Sequence, residues 1–207
     1  VLRSASADIA AAEPISGWLS ASAYEDETVV PGVTYYYFVR AAVDGSGSRA
    51  GAATGVSGHR SLGIVTAFDA QGGDPDRVAL RWQAVDQAAA YQVYRSERPD
   101  AERAEALSGW MTATEFIDES AGPGVITYYF VRAAADVAGI NPGPFTPVQS
   151  AYRGLRGPSI LSVSRSGIGE VSLQWTGVEG ASHYRAYRST SADTSLAEPL
   201  SGWQADV

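Results

Sequence analysis

The chain has 207 residues, 45% of them hydrophobic, a formal net charge of −8 and no cysteine. The acidic balance disfavours nucleic acid and anionic membrane surfaces as partners, because both attract basic patches. The absence of cysteine excludes disulfides, thiolate metal sites and cysteine nucleophiles. No apolar run reaches the roughly 20 residues that a membrane-spanning helix needs, so we expect a chain that does not span a membrane.

Short runs of aromatic and β-branched residues, separated by turn signals, predict strands along the middle of the chain. The predicted strands are 62–68, 78–82, 91–95, 114–118, 128–134 and 146–152. Pro99 and the short length of the segment favour a loop at 97–106. Alternation places Val78, Leu80 and Trp82 on one face of their strand. About seven short strands in some 93 residues are typical of an antiparallel β-sandwich.

One twelve-residue stretch occurs twice and defines a repeat. Residues 31–42 read Pro-Gly-Val-Thr-Tyr-Tyr-Tyr-Phe-Val-Arg-Ala-Ala, and ten of these twelve positions recur at 123–134. Residues 3–18 also match 188–203 at eleven of sixteen positions. The repeat period is therefore 92–93 residues, which is typical of a chain of similar modules.

The period predicts three parts. Residues 1–60 are the C-terminal part of a first repeat, 61–153 a complete repeat, and 154–207 the N-terminal part of a third. Two accounts of the partial repeats stay open. Either the sequence is a window from a longer repetitive protein, or the third repeat is completed by the first repeat of a neighbouring copy. The second account gives a head-to-tail filament, in which 1–24 and 184–207 would be redundant.

Three motifs recur in a fixed order. They are Val-x-Leu-x-Trp at 78–82 and 171–175, Tyr-x-Val-Tyr-Arg-Ser at 91–96, and Pro-Gly-x-x-Tyr-x-Tyr-x-Val-Arg-Ala at 31–41. These motifs resemble those of tandem fibronectin type III repeats of bacterial exported proteins. The resemblance implies an all-β chain of tandem immunoglobulin-like antiparallel sandwiches, with an extracellular or cell-surface location in bacteria. It implies less about function, because this fold supports many roles.

Catalytic motifs are missing from the sequence, and we expect neither an enzyme nor a cofactor. The two histidines, His59 and His183, occupy non-equivalent positions in different repeats. The weak metal candidates are acidic residues ahead of each Pro-Gly pair: Asp26, Glu27, Asp118 and Glu119. Their oxygens are of the kind that Ca²⁺ prefers. The alternative is that Asp26 and Asp118 cap turn amides, as Asp often does.

Aromatic residues offer a second kind of site. Tyr36 and Tyr128 point away from the predicted core and are the candidate ligand-facing aromatics, since tyrosine can stack on sugar rings. The alternative is that they stack with Arg40 and Arg132 on the same face. Tryptophans that recur in every copy predict core or edge packing; they are Trp18, Trp110 and Trp203.

Short links join the repeats, and we predict a junction formed by Arg60, Leu62, Arg153 and Leu155. Such links favour a stiff rod, to which each module adds about 35–40 Å. We therefore interpret the chain as a non-enzymatic spacer whose partners are neighbouring repeats or other copies of the protein. The alternative is an accessory module that binds polysaccharide or protein within a larger secreted enzyme or adhesin.

Overall fold

The computed structural model describes residues 1–205, except for the side chains at 161 and 165–167. The predicted all-β class with antiparallel sheets is confirmed. Helical structure in the described chain is limited to three single 3₁₀ turns, at Ile9–Ala11, Ala101–Arg103 and Thr194–Leu196. Each turn follows an aspartate whose carboxylate accepts a hydrogen bond from the backbone N–H two residues later.

The first repeat forms one four-stranded sheet. Its strands are β1 (Leu2–Ser4), β2 (Glu13–Pro14), β3 (Thr34–Val39) and β4 (Thr54–His59), in the order β2-β1-β3-β4. The register pairs Tyr37 with Val56 and Val39 with Thr54. Directly opposite residues share a face, so Tyr37, Val39 and Val56 lie on the same side of this sheet.

The middle repeat has seven strands. They are β5 (Thr66–Gln71), β6 (Val78–Gln83), β7 (Ala90–Ser96), β8 (Glu105–Ala106), β9 (Glu115–Asp118), β10 (Thr127–Ala134) and β11 (Gln149–Ala151). One sheet has the order β5-β6-β9 and the other β11-β10-β7-β8. The ring of Trp82 in the first sheet lies 5.7 Å from that of Tyr91 in the second. Seven strands in sheets of three and four form an immunoglobulin-like sandwich.

The third repeat consists of three two-stranded sheets. Its strands are β12 (Ile160–Gly167), β13 (Glu170–Trp175), β14 (His183–Tyr184), β15 (Tyr187–Arg188), β16 (Glu198–Pro199) and β17 (Gln204–Ala205), paired as β12-β13, β14-β17 and β15-β16. The centroids of the Trp175 and Tyr184 rings are 5.8 Å apart, which repeats the contact between Trp82 and Tyr91.

Three predicted boundaries in the middle repeat were wrong. The predicted loop at 97–106 contains a 3₁₀ turn and strand β8, which pairs with Tyr94 and Arg95. The first strand begins only at Thr66, although Leu62 is buried ahead of it. The last strand is short because Thr146 bonds Val131 through both its backbone N–H and its hydroxyl oxygen, ahead of β11.

The described chain divides into two compact units. The first comprises Val1–Asp69, Arg81–Phe116 and Tyr129–Gln149, and the second comprises Ala70–Leu80, Ile117–Tyr128 and the chain from Ser150 onward. This division differs from the repeat boundaries, which stay a prediction. No helix in residues 1–205 has both the length and the apolar character needed to cross a membrane.

Candidate functional site: the repeat junctions

Both Pro-Gly turns are fixed to the main chain at the end of their own repeat. The N–H of Gly32 donates to the carbonyl of Arg60 at 2.7 Å, and that of Gly124 donates to the carbonyl of Arg153 at 2.8 Å. The two glycines have φ of +78° and +74°, a left-handed conformation that glycine adopts without strain. Equivalent residues therefore form the same turn in two repeats.

At the first junction, the turn of the first repeat contacts the middle repeat. The amide nitrogen Nδ2 of Asn141 donates to the carbonyl of Gly32 at 3.2 Å and to Oγ1 of Thr34 at 2.7 Å. A Cβ on Gly32 would overlap the side chain of Ala135. Two hydrogen bonds therefore hold the turn. Because Gly32 has no side chain, the turn backbone can also lie close to Ala135.

At the second junction, the equivalent turn contacts the third repeat. A Cβ on Gly124 would lie 3.4 Å from Cδ2 of Leu155, and a Cβ on Gly180 would overlap the carbonyl of Pro123. Arg153 donates from Nη1 to the carbonyl of Glu119 at 3.0 Å and lies 3.9 Å from the carboxylate of Glu179. Glu179 is largely exposed, so this ion pair contributes little and close backbone packing dominates the contact.

The predicted junction residues have unequal roles. Arg60 and Arg153 act through their carbonyls, which accept the turn amides. Leu62 is buried and packs against Gly143 of its own repeat, whereas its equivalent Leu155 is about half exposed and lies beside Gly124 and Gly180. Sequence reasoning missed Asn141, because its contact with residues 32–34 spans more than a hundred positions.

Asp26 and Asp118 both cap turns. A carboxylate oxygen of Asp26 accepts hydrogen bonds from the N–H and hydroxyl of Thr28, and Asp118 does the same with Ser120. Glu27 and Glu119 are exposed. Within residues 1–205, no group of three or more His, Cys, Asp or Glu is arranged to hold a metal ion.

Asp26 is the centre of a polar network in the first repeat. Its second carboxylate oxygen accepts from Nη1 of Arg3 at 2.7 Å and from the hydroxyl of Tyr37 at 3.2 Å. The hydroxyl of Thr28, together with its N–H and Arg3, lowers the pKa of Asp26 from 3.8 to about 2. The ionised carboxylate is therefore the form that the folded repeat favours.

Acidification should weaken the first repeat through this carboxylate. The pKa of Asp26 is lower in the folded repeat than its ordinary value. The stability that the ionised carboxylate adds to the folded repeat is therefore complete above about pH 3.8 and is lost as the pH falls through about 2. An NMR titration of the Asp26 carboxyl carbon should therefore show a midpoint near 2. The Asp26→Asn variant should lose this part of the pH dependence. A midpoint near 3.8 would contradict the network.

The aromatic candidates are only partly accessible. Tyr36 and Tyr128 are half-buried. The expected stacking of Arg132 on a tyrosine was wrong, since its guanidinium lies 4.5 Å over the ring of Phe145. Arg132 also donates from Nε to the carbonyl of Gly143 at 3.0 Å. Phe145, a residue that the predicted pattern did not single out, also packs edge-on against Tyr94 and Phe130.

Two of the repeated tryptophans pack on turn glycines. A Cβ on Gly47 would overlap the indole of Trp18, and a Cβ on Gly139 would overlap the indole of Trp110. Both glycines have positive φ and lie in equivalent hairpin turns. The predicted edge packing thus describes Trp18, which is 42% exposed, and the half-buried Trp110, whereas Trp203 is 65% exposed. The sequence carries a signal for this contact, because Trp18 and Gly47 both recur 92 residues later as Trp110 and Gly139.

Comparison with known proteins finds fibronectin type III structures. No family model and no curated protein matches the sequence. A Fn3-like protein from Clostridium thermocellum is 21% identical with a TM-score of 0.40, over 44% of this chain and 93% of that one. The FN1–FN3 domains of chicken CNTN1 are 15% identical with a TM-score of 0.36, over 85% of this chain and 65% of that one.

A third similar structure is a β-1,2-glucanase from Parabacteroides distasonis, which is 18% identical with a TM-score of 0.35. The match covers 52% of this chain and 16% of the glucanase. Similarities at this level carry no argument about activity, ligand or partner.

Proposed function

We propose that the chain is a non-enzymatic structural spacer from a bacterial extracellular or cell-surface protein, and that it forms part of a longer repetitive rod or filament. The observation that carries the proposal is the pair of equivalent junctions. In both, a Pro-Gly turn is hydrogen-bonded to the chain that leaves its repeat, and a glycine permits close backbone packing. Such a contact limits rotation between modules, which is what a spacer of defined length requires.

The distribution of polar residues also supports a structural role. His59 and His183 are both exposed. Of the four acidic residues that the sequence singles out, Asp26 and Asp118 are occupied as turn caps, and Glu27 and Glu119 are exposed. General acid–base catalysis needs such groups to converge where a substrate can bind.

The first junction can be tested by spin-label distances, because the chain has no cysteine of its own. Labels on the exposed positions of a Glu13→Cys, Glu97→Cys double variant report on the first and middle repeats. We expect one narrow distance distribution. Asn141→Ala should broaden it, because both side-chain hydrogen bonds from the middle repeat to the turn are lost.

Arg49→Ala is the matched control for this experiment. Arg49 occupies the equivalent turn position in the first repeat, with φ of 52° against 51° for Asn141, and its side chain is exposed. Its replacement should leave the distribution unchanged. A broad distribution in the unmodified chain, or equal broadening by both variants, would contradict a fixed junction and with it the spacer role.

The alternative is a module that binds polysaccharide or protein. It is favoured by the half-buried Tyr36 and Tyr128, which occupy equivalent positions in two repeats. Pull-down with insoluble polysaccharides tests this role. Binding that is lost in both Tyr36→Ala and Tyr128→Ala would favour the binding module, whereas no binding by the unmodified chain would favour the spacer.

A further inference from the structure

The last strand of the first-repeat sheet has an open edge. Strand β4, Thr54–His59, ends the sheet order β2-β1-β3-β4 and is paired on one side, with β3. Five of its six residues are exposed, so solvent reaches the strand along its length. Its other side therefore offers backbone N–H and C=O groups to which a further strand can bond.

This edge is present where all seven strands of a repeat are present. In the middle repeat, the equivalent strand β11 is likewise last in the order β11-β10-β7-β8. Val148, the equivalent of Val56, is 41% exposed there. The loop between β5 and β6 bonds the chain beyond β11, at Tyr152 and Gly154. The open side of β4 thus does not depend on the strands that residues 1–60 lack.

The two equivalent edges differ in their proline content. Three prolines of the middle repeat lie in the segment that leads to β11, and the first repeat has small residues at the same positions. The prolines are Pro142, Pro144 and Pro147, and their equivalents are Ala50, Ala52 and Gly55. Proline has no N–H to donate and protects a sheet edge against a further strand. Strand β4 lacks this protection.

Other sheet edges in the first two repeats are protected in other ways. Strands β2 and β8 are two residues long, β9 begins with the charged Glu115, and β5 contains Ala67 with φ of 51°. Short strands, charges and irregular backbone all discourage edge pairing. By contrast, β4 is a regular strand with two glycines, and residues 50–58 carry no charge.

We propose that β4 pairs with β4 of a second copy of this chain, in antiparallel orientation about a twofold axis. The two four-stranded sheets then form one continuous sheet. The net charge of −8 makes two copies repel each other, so a neutral strand is the surface at which they can approach. The contact uses the same surface on both copies and therefore closes at a dimer. This side-by-side pairing goes beyond the spacer role, which concerns modules along one chain.

The sequence of β4 is suited to pairing with itself. When Ser57 of one copy lies opposite Ser57 of the other, Val56 lies opposite Gly58 and Gly55 lies opposite His59. Each of the larger side chains then faces a glycine, and the two serine hydroxyls can bond to each other. Ser57 is exposed and is paired with Tyr36 of β3, on the side of the sheet away from Tyr37 and Val56. Substitution of Ser57 therefore changes the contact between copies and leaves the side of Tyr37 unaltered.

The test is the mass of the full chain, measured by sedimentation velocity at concentrations up to about 1 mM, because a single strand pair is a small contact. The unmodified chain should shift from 21.7 kDa to twice that mass and no further. Ser57→Glu and Ser57→Lys should each weaken self-association about fivefold, because like charges then lie opposite each other. Their equimolar mixture should associate at least as tightly as the unmodified chain, because opposite charges meet.

Two further sets of variants make the result specific to β4. Gln149 is the equivalent of Ser57 on the edge that follows the prolines, so Gln149→Glu and Gln149→Lys should associate like the unmodified chain. A triple variant with Ala50→Pro, Ala52→Pro and Gly55→Pro copies the prolines of the middle repeat and should stay at 21.7 kDa. Hydrogen exchange of the β3 amides shows whether its sheet is folded. If the triple variant does not fold, the variants of the exposed Ser57 decide.

The proposal is overturned if the unmodified chain stays at 21.7 kDa at the highest concentration. It is also overturned by a dimer that neither Ser57 variant weakens, since the contact would then lie elsewhere. Weakening by both variants without recovery in their mixture would exclude the twofold register. A monomeric chain leaves the spin-label test of the spacer role unaffected, because those distances lie within one chain.

Discussion

Leu80→Ala should lower the free energy of unfolding of the middle repeat by about 3 kcal/mol, whereas Leu173→Ala should cost the third repeat only about 1 kcal/mol. The two leucines occupy the same position of the Val-x-Leu-x-Trp motif. Leu80 is 0% exposed and Leu173 is 38% exposed. Removing Leu80 leaves a cavity that packed neighbours cannot fill, whereas water already reaches Leu173.

Hydrogen exchange under increasing denaturant measures both costs in one chain, because it reports each strand separately. The amides of β6 and β10 give the stability of the middle repeat, and those of β13 give that of the third. Equal losses at the two sites would mean that the third repeat has a closed core in solution, which would contradict the exposure of Leu173.

Gly139→Ala should destabilise the middle repeat by about 3 kcal/mol. Gly139 has φ of +77°, which costs alanine about 1 kcal/mol or more. The added methyl group also overlaps the indole of Trp110, and overpacking of this kind costs a further 1–3 kcal/mol, by a rough estimate. The turn and the tryptophan therefore have to move apart.

Gly73→Ala separates the two contributions. Gly73 has φ of +89°, but no atom lies within 4 Å of the position that its Cβ would take. It should therefore show the backbone cost alone, about 1 kcal/mol. Hydrogen exchange of the β6 and β10 amides under increasing denaturant compares the stability of the middle repeat in the two variants. If both glycine variants lose the same stability, the packing of tryptophan on the turn is without energetic consequence.

The alternating strand β6 was predicted well from the sequence because its pattern is local. Val78, Leu80 and Trp82 have the two-residue period of a strand with one buried face, and all three are buried. Repetition of the motif in the third repeat located β13 equally well. The turn caps at Asp26 and Asp118 were also foreseen, because Asp bonds amides only two residues away.

Long-range contacts were not predictable in the same way. Asn141 bonds Gly32 and Thr34, and no local pattern indicates which turn an asparagine will meet across a junction. The N–H of Val131 donates to the hydroxyl oxygen of Thr146 instead of to a backbone carbonyl of a paired strand. The prediction from β-propensity therefore began β11 too early. Leu62 and Leu155 occupy matching positions of the repeat, but their burial differs because different parts of the chain pack against them.

The spacer role is tested most directly by adding modules to the full chain. Variants in which residues 61–153 are present once, twice and three times can be compared by small-angle X-ray scattering, under conditions where each is monomeric. A stiff series of modules predicts that the maximum dimension grows by a constant increment of about 35–40 Å per added copy. Growth that flattens toward the square root of the copy number would show freely jointed modules and would contradict the spacer role.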